Sequence, residues 1–592
     1  MLDALVAIAD RFERAGKLPP VATRRVSPHW LITIDTNGTA TLSGRFADGD
    51  VRPLITPDVG RTSNIQPLLL TDKASYVLGV ADEKGEARAT KEHNAFVALV
   101  HKANAECQNA DITRITAFLE HPVLTGMGQI KPDENVAFCN EAGEFPCEST
   151  EIRRFWTDAL AKKEGITEGI CLVCGQQKPV LRILTNKVTI FGQVCQITSF
   201  EKTAFRSFGK KQTGNAPICF TCASKATTAL NHMLSVREHH ATLVYVKRND
   251  STPDPFASQM AVFWTKEEVR LPDGEMEYDL NAAVTEMLAG DVGFNAPVPE
   301  LAQLEALLQV PWTASTSASY LNTNGFCLAV LSASKARLVV REWLDVPLDA
   351  LRHSLTRYIT ATRIVGPQGE APRPFPVPAL LAAVGRQETQ RAKMRKLDPN
   401  WTRGLLRTAY MSVPPPPALL NAALAQFSKP TYLTAAKEED RRIVHCLASL
   451  LKLLLTYGKE ETEPMSTLDD EPAYLCGRVL GIVEEMQRRS SSSRVNKLLV
   501  ERFFAKGMNA PTVALSELAE LAETAYLPKI RKNRQGFGTL QEKFTQTMGR
   551  IATQGGVSRT FTSSQRAAFA LGLYIQRAEF AQGRTAPQGA GE

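Results

Sequence analysis

Residues 169–179 read GICLVCGQQKP, and residues 217–223 read PICFTCA. Each stretch holds a Cys-x-x-Cys pair, Cys171 with Cys174 and Cys219 with Cys222, and Gly175 closes the first turn. Two thiols at that spacing supply half of a tetrahedral soft-ligand shell, and two pairs complete it. The gap between the pairs, 175 to 218, is 44 residues, against about 15–20 in a plain zinc ribbon. The spacing therefore predicts a zinc-ribbon-like element, 171–222, that carries an insertion. Four unrelated cysteines, or two chance disulfides, are the alternative. Four protein ligands leave no open position for water, so such a zinc is structural and does no chemistry. Closing so long a flexible loop costs on the order of 3 kcal/mol, and structural zinc supplies about 10–16 kcal/mol. The clasp is strong enough to pin the base of the insertion.

Working outward, the N-terminal region is rich in β signals. The first residues, MLDALVAIADRFER, have the spacing of an amphipathic helix, and Asp3 and Asp10 exclude a signal peptide. Residues 29–46, HWLITIDTNGTATLSGRF, place two β-rich runs around Asn37-Gly38, a strong hairpin signal. SYVLGVADEKG (75–85) predicts a strand and turn, and 93–107 and 112–122 carry helical spacing. VTIFG (188–192), ATLVYVKR (241–248) and QMAVFWT (259–265) predict strands, and GFCLAVLSASKARLVVREWL (325–344) predicts two strands joined across 332–335. Two proline-rich stretches follow, GPQGEAPRPFPVP (366–378) and VPPPP (413–417). Beyond them the pattern is helical, with acidic residues opening 434–458 and Gly458 where that helix must stop. The fold class expected is multidomain α+β. An N-terminal α+β domain spans 1–365, a proline-rich boundary 366–418, and a helical bundle of about five helices 419–592.

Bulk composition limits the functions. The 592 residues exceed one ordinary core, are 44% hydrophobic and 22% charged, and carry a net charge of +7. That balance permits a polyanionic partner without requiring one. Eleven cysteines, no secretory signal and no apolar run of membrane-spanning length predict a cytoplasmic protein without a membrane anchor. Walker, Rossmann and nucleophile-elbow motifs are absent, which leaves nucleotide hydrolysis and acyl transfer without support.

The insertion ends in SFEKTAFRSFGKKQTGNAPI (199–218). Lys202, Arg206, Lys210 and Lys211 alternate with Phe200, Phe205 and Phe208, and Gln212 and Asn215 can form paired hydrogen bonds with a base edge. A solvated loop with core phenylalanines is the plainer reading. Arg61, Ser63 and Asn64 in GRTSN are further candidates for duplex contact, or form an ordinary turn. Basic residues cluster again at Arg391, Lys393, Arg395 and Lys396, at Arg488, Arg489, Arg494 and Lys497, and at Lys529, Arg531, Lys532 and Arg534. These are either a phosphate track or solvated faces. One enzymatic alternative is a zinc-bracketed HNH-type nuclease using His232, His239 and His240. The sequence lacks the required Asp-His pair on a strand, and these histidines fall on an apparently helical, polar segment. A zinc-ribbon scaffold that touches only protein is the third possibility.

Several of these motifs are collinear with one family. SFEKTAFRSFGKKQTGNAP, ATTALNHML, MAVFWT, RTSNIQPLLLTDKASYVLGV, FCLAVLSASKARLVVREWLDVPLDALRHSL, GLLRTAYM, AYLCGRVLGIVEEMQ and RAAFALGLYIQRAEF resemble the large subunit of the type I-C CRISPR Cascade complex, along nearly the whole chain. The resemblance implies a binding role without catalysis: recognition of the protospacer-adjacent motif in target double-stranded DNA, help in opening the duplex, and support of the displaced strand. It implies as partners CRISPR RNA, the Cascade backbone and crRNA-processing subunits, a small subunit and a separate helicase–nuclease. In this family the small subunit can arise by internal initiation, and Met465 stands where such a start would fall. Members often lack the cysteine knuckles, so the resemblance implies a function that does not require the metal.

Overall fold

The structure is a computed structural model. It describes residues 1–47, 50–59, 65–81, 85–125, 130–181, 187–198, 200, 204, 206–246, 252–267, 324–385, 398–458, 466–491, 498–533 and 537–585. These residues form two compact units. Unit 1 comprises 1–189, 193–235 and 335–338, and unit 2 comprises 190–192, 236–334 and 339–592. The class is α+β, with the β-rich part and the four cysteines N-terminal and the helices C-terminal.

Unit 1 begins with α1 (Leu2–Arg14), whose Leu5, Ile8, Ala9 and Phe12 are buried at the predicted helical spacing. The strands β1 (Thr23–Val26), β2 (Trp30–Ile34), β3 (Ala40–Leu42), β4 (Leu54–Pro57) and β5 (Thr71–Lys73) follow. Next come α2 (Ala74–Val77), α3 (Glu86–Glu106), α4 (Ala110–Glu120), β6 (Leu124–Thr125), β7 (Asn135–Asn140) and α5 (Thr150–Glu164). The five-stranded sheet has the order β5-β7-β2-β3-β6. Its centre is the parallel pair β2–β7, with Trp30 opposite Val136. The β2–β3 hairpin turns at Asn37-Gly38 as the sequence predicts: Gly38 takes φ +86°, and Asp35 Oδ1 accepts from the Asn37 and Thr39 amides at 2.9 and 2.8 Å. Trp30, Ile32 and Ile34 alternate into the core with Phe96, Val100, Ile115 and Phe138.

Residues 75–77 are not the expected strand. The Ala74 and Ser75 amides donate to the Glu134 and Pro132 carbonyls, which ends strand pairing after Lys73 and tips the chain into one helical turn, α2. Both Tyr76 and Val77 are then buried, a pattern that period-two alternation does not allow.

In unit 2, His240–Val244, Gln259–Thr265, Gly325–Ser334 and Arg337–Pro347 lie side by side in that order. The reverse turn between the last two falls at Lys335, at φ +55°. The proline-rich region differs from the sequence expectation of a boundary. It contains the helices Val377–Gly385 and Pro399–Met411, and Phe375, Val377, Leu405 and Tyr410 belong to the same buried core as the C-terminal helices. Tyr358 Oη donates to the Phe375 carbonyl at 2.9 Å, and Tyr574 Oη donates to the Val365 carbonyl at 2.8 Å. Prolines there break helices without breaking packing.

The C-terminal helices outnumber the five expected. They include Glu438–Thr456, opened by Glu438, Glu439 and Asp440 and ended near Gly458 at φ +82°. Gly477 on the helix Pro472–Ser490 lies against the Phe569 carbonyl, and Gly572 on the helix Ser563–Thr585 lies against the Tyr474 carbonyl, with no room for a Cβ at either. The two backbones therefore touch.

Candidate metal centre and nucleic-acid interface

Two β-strands, β8 (Gly165–Ile170) and β9 (Gln177–Leu181), form an antiparallel hairpin with the first cysteine pair at its tip. Gly175, at φ +70°, donates to the Cys171 carbonyl at 2.8 Å, and the Cys171 amide returns to the Gln176 carbonyl at 3.0 Å. This tight turn aims both sulfurs to one side. The second pair sits at the start of α6 (Phe220–Ser235), with Cys222 in its first turn. Backbone bonds from Leu172 to Pro217 (2.9 Å) and from Leu181 to Ile218 (3.0 Å) bring the two pairs together.

All four Sγ atoms lie within 4.8 Å of one another, with Cys171, Cys219 and Cys222 buried and Cys174 exposed. Four sulfurs about 2.3 Å from a common ion are roughly 3.8 Å apart, so small shifts close this cluster on a soft tetrahedral cation. Two features favour the anionic thiolates such a cation needs. The Cys219 amide points at Cys171 Sγ at 3.4 Å, and the N-terminus of α6 faces the cluster with its positive dipole end. Among the thiols themselves, the hydrogen bond from Cys222 holds Cys219 well below the ordinary thiol value, and Cys222 is driven upward by the same bond. Cys195, the other buried cysteine of the insertion, is pushed up by burial alone.

The clasp is continuous with the rest of unit 1. The helix α6 runs along α1: His232 meets the Phe12 ring edge-on at 5.0 Å, and Lys225 pairs with Asp10. The insertion itself adds β10 (Lys187–Ile190) and β11 (Gln193–Gln196) before the basic loop. That loop is shaped by its own polar groups. Asn215 Oδ1 accepts from the Ser207 amide at 3.0 Å, and its Nδ2 donates to the Lys210 and Gln212 carbonyls at 3.3 and 2.9 Å. Thr213 Oγ1 donates to the Leu181 carbonyl on β9. Asn215, expected to offer its amide to a base edge, has that amide committed to the loop's own backbone. Thr213, which composition did not single out, ties the loop to the knuckle strand.

The cations of the loop are differently placed. Arg206, Lys210 and Lys211 are exposed and have no carboxylate within ion-pair distance among the described residues. Gln212 is half-buried at φ +50°. Lys202, and Arg61, Ser63 and Asn64, lie outside the described residues. The base of the latter segment is firm: β4 pairs with β1, and Trp156 Nε1 donates to the Ala22 and Asp58 carbonyls at 3.0 and 3.2 Å.

In unit 2, Arg488 and Arg489 are brought together on one buried carboxylate. Glu485 accepts from Arg488 at 2.6 and 2.7 Å and from Arg489 at 2.8 Å. Arg584, on the last helix, reaches the same carboxylate at 3.4 Å. Burial alone would raise the Glu485 pKa, and the arginine hydrogen bonds outweigh it and lower it. Three guanidinium groups on one carboxylate leave a surplus of positive charge. Arg584 escaped the sequence reading because it lies almost a hundred residues from its partners. Lys529, Arg531 and Lys532 are exposed, and Arg531 lies over Phe537 at 5.6 Å. Lys506, also part of a basic run, is paired with Glu517. Arg391, Lys393, Arg395, Lys396, Arg494, Lys497, Arg534 and Met465 lie outside the described residues.

The three histidines of the nuclease reading fall on different elements: His232 lies on α6 against Phe12, the buried His239 has Nδ1 3.2 Å from the Phe263 carbonyl, and His240, which opens a strand and does not lie on a helix as expected, has Nδ1 2.8 Å from the Val236 carbonyl. Among the described residues the four cysteines are the one metal-capable group of three or more, and no described helix is long and apolar enough to cross a membrane.

Four-cysteine cluster, basic loop and helical unit define a two-unit protein of the α+β class. Residues 5–581 match the family model described as CRISPR-associated protein (Cas_Csd1), and the chain belongs to that family, the large subunit of the type I-C Cascade complex. No curated protein matches the chain.

Proposed function

We propose that this subunit binds the protospacer-adjacent motif in duplex DNA, helps open the duplex, holds the displaced strand and recruits a separate helicase–nuclease. Membership of a Cascade family over residues 5–581 carries the reading. It is supported by three cations, Arg206, Lys210 and Lys211, that have no carboxylate partner among the described residues and lie on a loop whose base carries four clustered cysteines. The ion held there is zinc, in a structural role: a closed thiolate shell offers no site for activated water. The loop positions phosphates, and Gln212 is left as the amide for a groove edge. In the helical unit, Arg488, Arg489 and Arg584 with Lys529, Arg531 and Lys532 form the track for displaced single-stranded DNA. CRISPR RNA and the backbone, crRNA-processing and small subunits complete the assembly, as in RNA-guided recognition generally, where protein reads the short motif and base pairing reads the rest.

The test is duplex binding by the assembled complex across a salt series. Replacing Lys210 and Lys211 with alanine removes two phosphate contacts and reduces the slope of log affinity against log salt by about 1.8. An unchanged slope removes the loop from the interface. Metal-dependent nicking by the purified chain would instead support the HNH-type reading. For the internal start, Met465→Leu removes a short co-purifying product; persistence of that product rules out Met465.

A further inference from the structure

Phe208 is the outlier of the molecule's surface. Its side chain is 97% exposed, the most of any large hydrophobic residue described. Its backbone is at φ +50°, followed by Gly209 at φ +70°. A bulky aromatic in the left-handed region is uncommon, and leaving a phenyl in water forgoes the gain of burying it. The conformation is held by the loop's own bonds: the Lys210 amide donates to the Ser207 carbonyl across the turn at 2.9 Å, and Asn215 bonds to both flanks. The loop thus spends its internal polar groups on projecting a ring that stays in water. Around the ring, residues 206–211 contain no acid and three cations without carboxylate partners among the described residues.

We propose that Phe208 is a stacking residue for a nucleobase, its ring against an exposed base face while Arg206, Lys210 and Lys211 hold the adjacent phosphates. The inference rests on the nucleic-acid reading above and adds the chemistry of the contact. An apolar face flanked only by cations suits a ligand that is flat and aromatic at its centre and anionic at its edge, and nucleic acid is that ligand. A protein partner would be met better by a wider apolar patch than by one ring among charges.

The experiment uses the assembled complex and a short target duplex with its flanking motif. Base–aromatic stacking is worth about 1–3 kcal/mol by alanine substitution, so Phe208→Ala weakens binding about 5- to 150-fold, with an unchanged salt slope because no phosphate contact is lost. Phe208→Trp retains affinity, and Phe208→Leu, apolar but without a π-face, falls with the alanine variant. Full affinity in Phe208→Ala, with the lysine double variant still impaired, overturns stacking and leaves DNA binding intact. Indifference of both variants overturns the loop's role altogether. If Phe208→Ala loses other subunits on purification while the remaining complex binds DNA normally, the ring is a protein contact and the proposal is wrong. Zinc content and the urea midpoint of each variant show that folding is retained.

Discussion

The two units hold themselves together by different physics. Around the insertion of unit 1, β8–β9, a short hairpin, a loop and the end of a helix converge on four sulfurs, with Ile170 62% and Leu172 67% exposed beside them. Leu181, Ile218 and Phe220 nevertheless join the core of unit 1, so the sulfur cluster adds a local clasp to that packing. Unit 2 has no such cluster among its described residues and relies on one broad core, with glycine-mediated backbone contact between the helices Pro472–Ser490 and Ser563–Thr585. A local clasp suits a segment that must present a small, defined loop; distributed packing suits a platform. Each should therefore fail under a different insult.

The largest effect is expected from the clasp. Cys219→Ser, or exhaustive chelation, forfeits much of the roughly 10–16 kcal/mol that a structural zinc contributes. Metal analysis should show loss of one ion per chain, and limited proteolysis should cut within 175–218 orders of magnitude faster. The helical signal of unit 2 should persist; its collapse would contradict separate stabilisation. Second, Gly572→Ala pushes a methyl into the Tyr474 carbonyl and should cost about 3 kcal/mol through overpacking. A urea titration followed in unit 2 should register this loss while metal content is unchanged.

The smallest effect sharpens the contrast through pH. His445 is buried, and burial, with Arg373 nearby, pushes its pKa down to about 4. Its Nε2 lies 3.2 Å from the Ile364 carbonyl. The folded state keeps it neutral while the unfolded chain takes up a proton near 6.5, so unit 2 loses stability as pH falls from about 6.5 toward 4. His445→Gln should flatten that part of the profile. In unit 1, Glu134 has the opposite chemistry. Burial opposes its ionisation, but bonds from Trp30 (2.7 Å), the Lys131 amide (3.1 Å) and Arg45 (2.6 Å) hold its pKa down to about 2. Its contribution is complete above about 4.5 and is lost only as pH falls from there toward 2. Between 6.5 and 4.5 Glu134 is therefore untouched, and acid acts through His445 in unit 2 and through His232 in unit 1, which burial and Lys17 also push down.

What the sequence made legible was local chemistry. The Asn37-Gly38 turn, the α1 stripe and the four metal-capable cysteines depend on residues within a few positions, or on a spacing that few other sites use. The strand expected at 75–77 failed because its amides are claimed by carbonyls of Glu134 and Pro132, which no local pattern reveals. The proline-rich segment was read as a boundary because proline disrupts hydrogen-bond ladders; that it packs depends on Phe375, Tyr358 and Tyr574 meeting across two hundred residues. The basic loop was visible as composition, but not which groups face inward: Asn215 supports the backbone, and Phe208 stands out in water.

The pairing of α1 with α6 has a consequence during synthesis. The apolar stripe of Leu2–Arg14 leaves the ribosome long before Phe220–Ser235 exists to cover it. At about 5–20 residues per second, the nascent stripe stays uncovered for roughly 10–45 seconds. Until α6 is made, that face can be kept from water only by other parts of the nascent chain, and slow codons between the two helices would lengthen the wait.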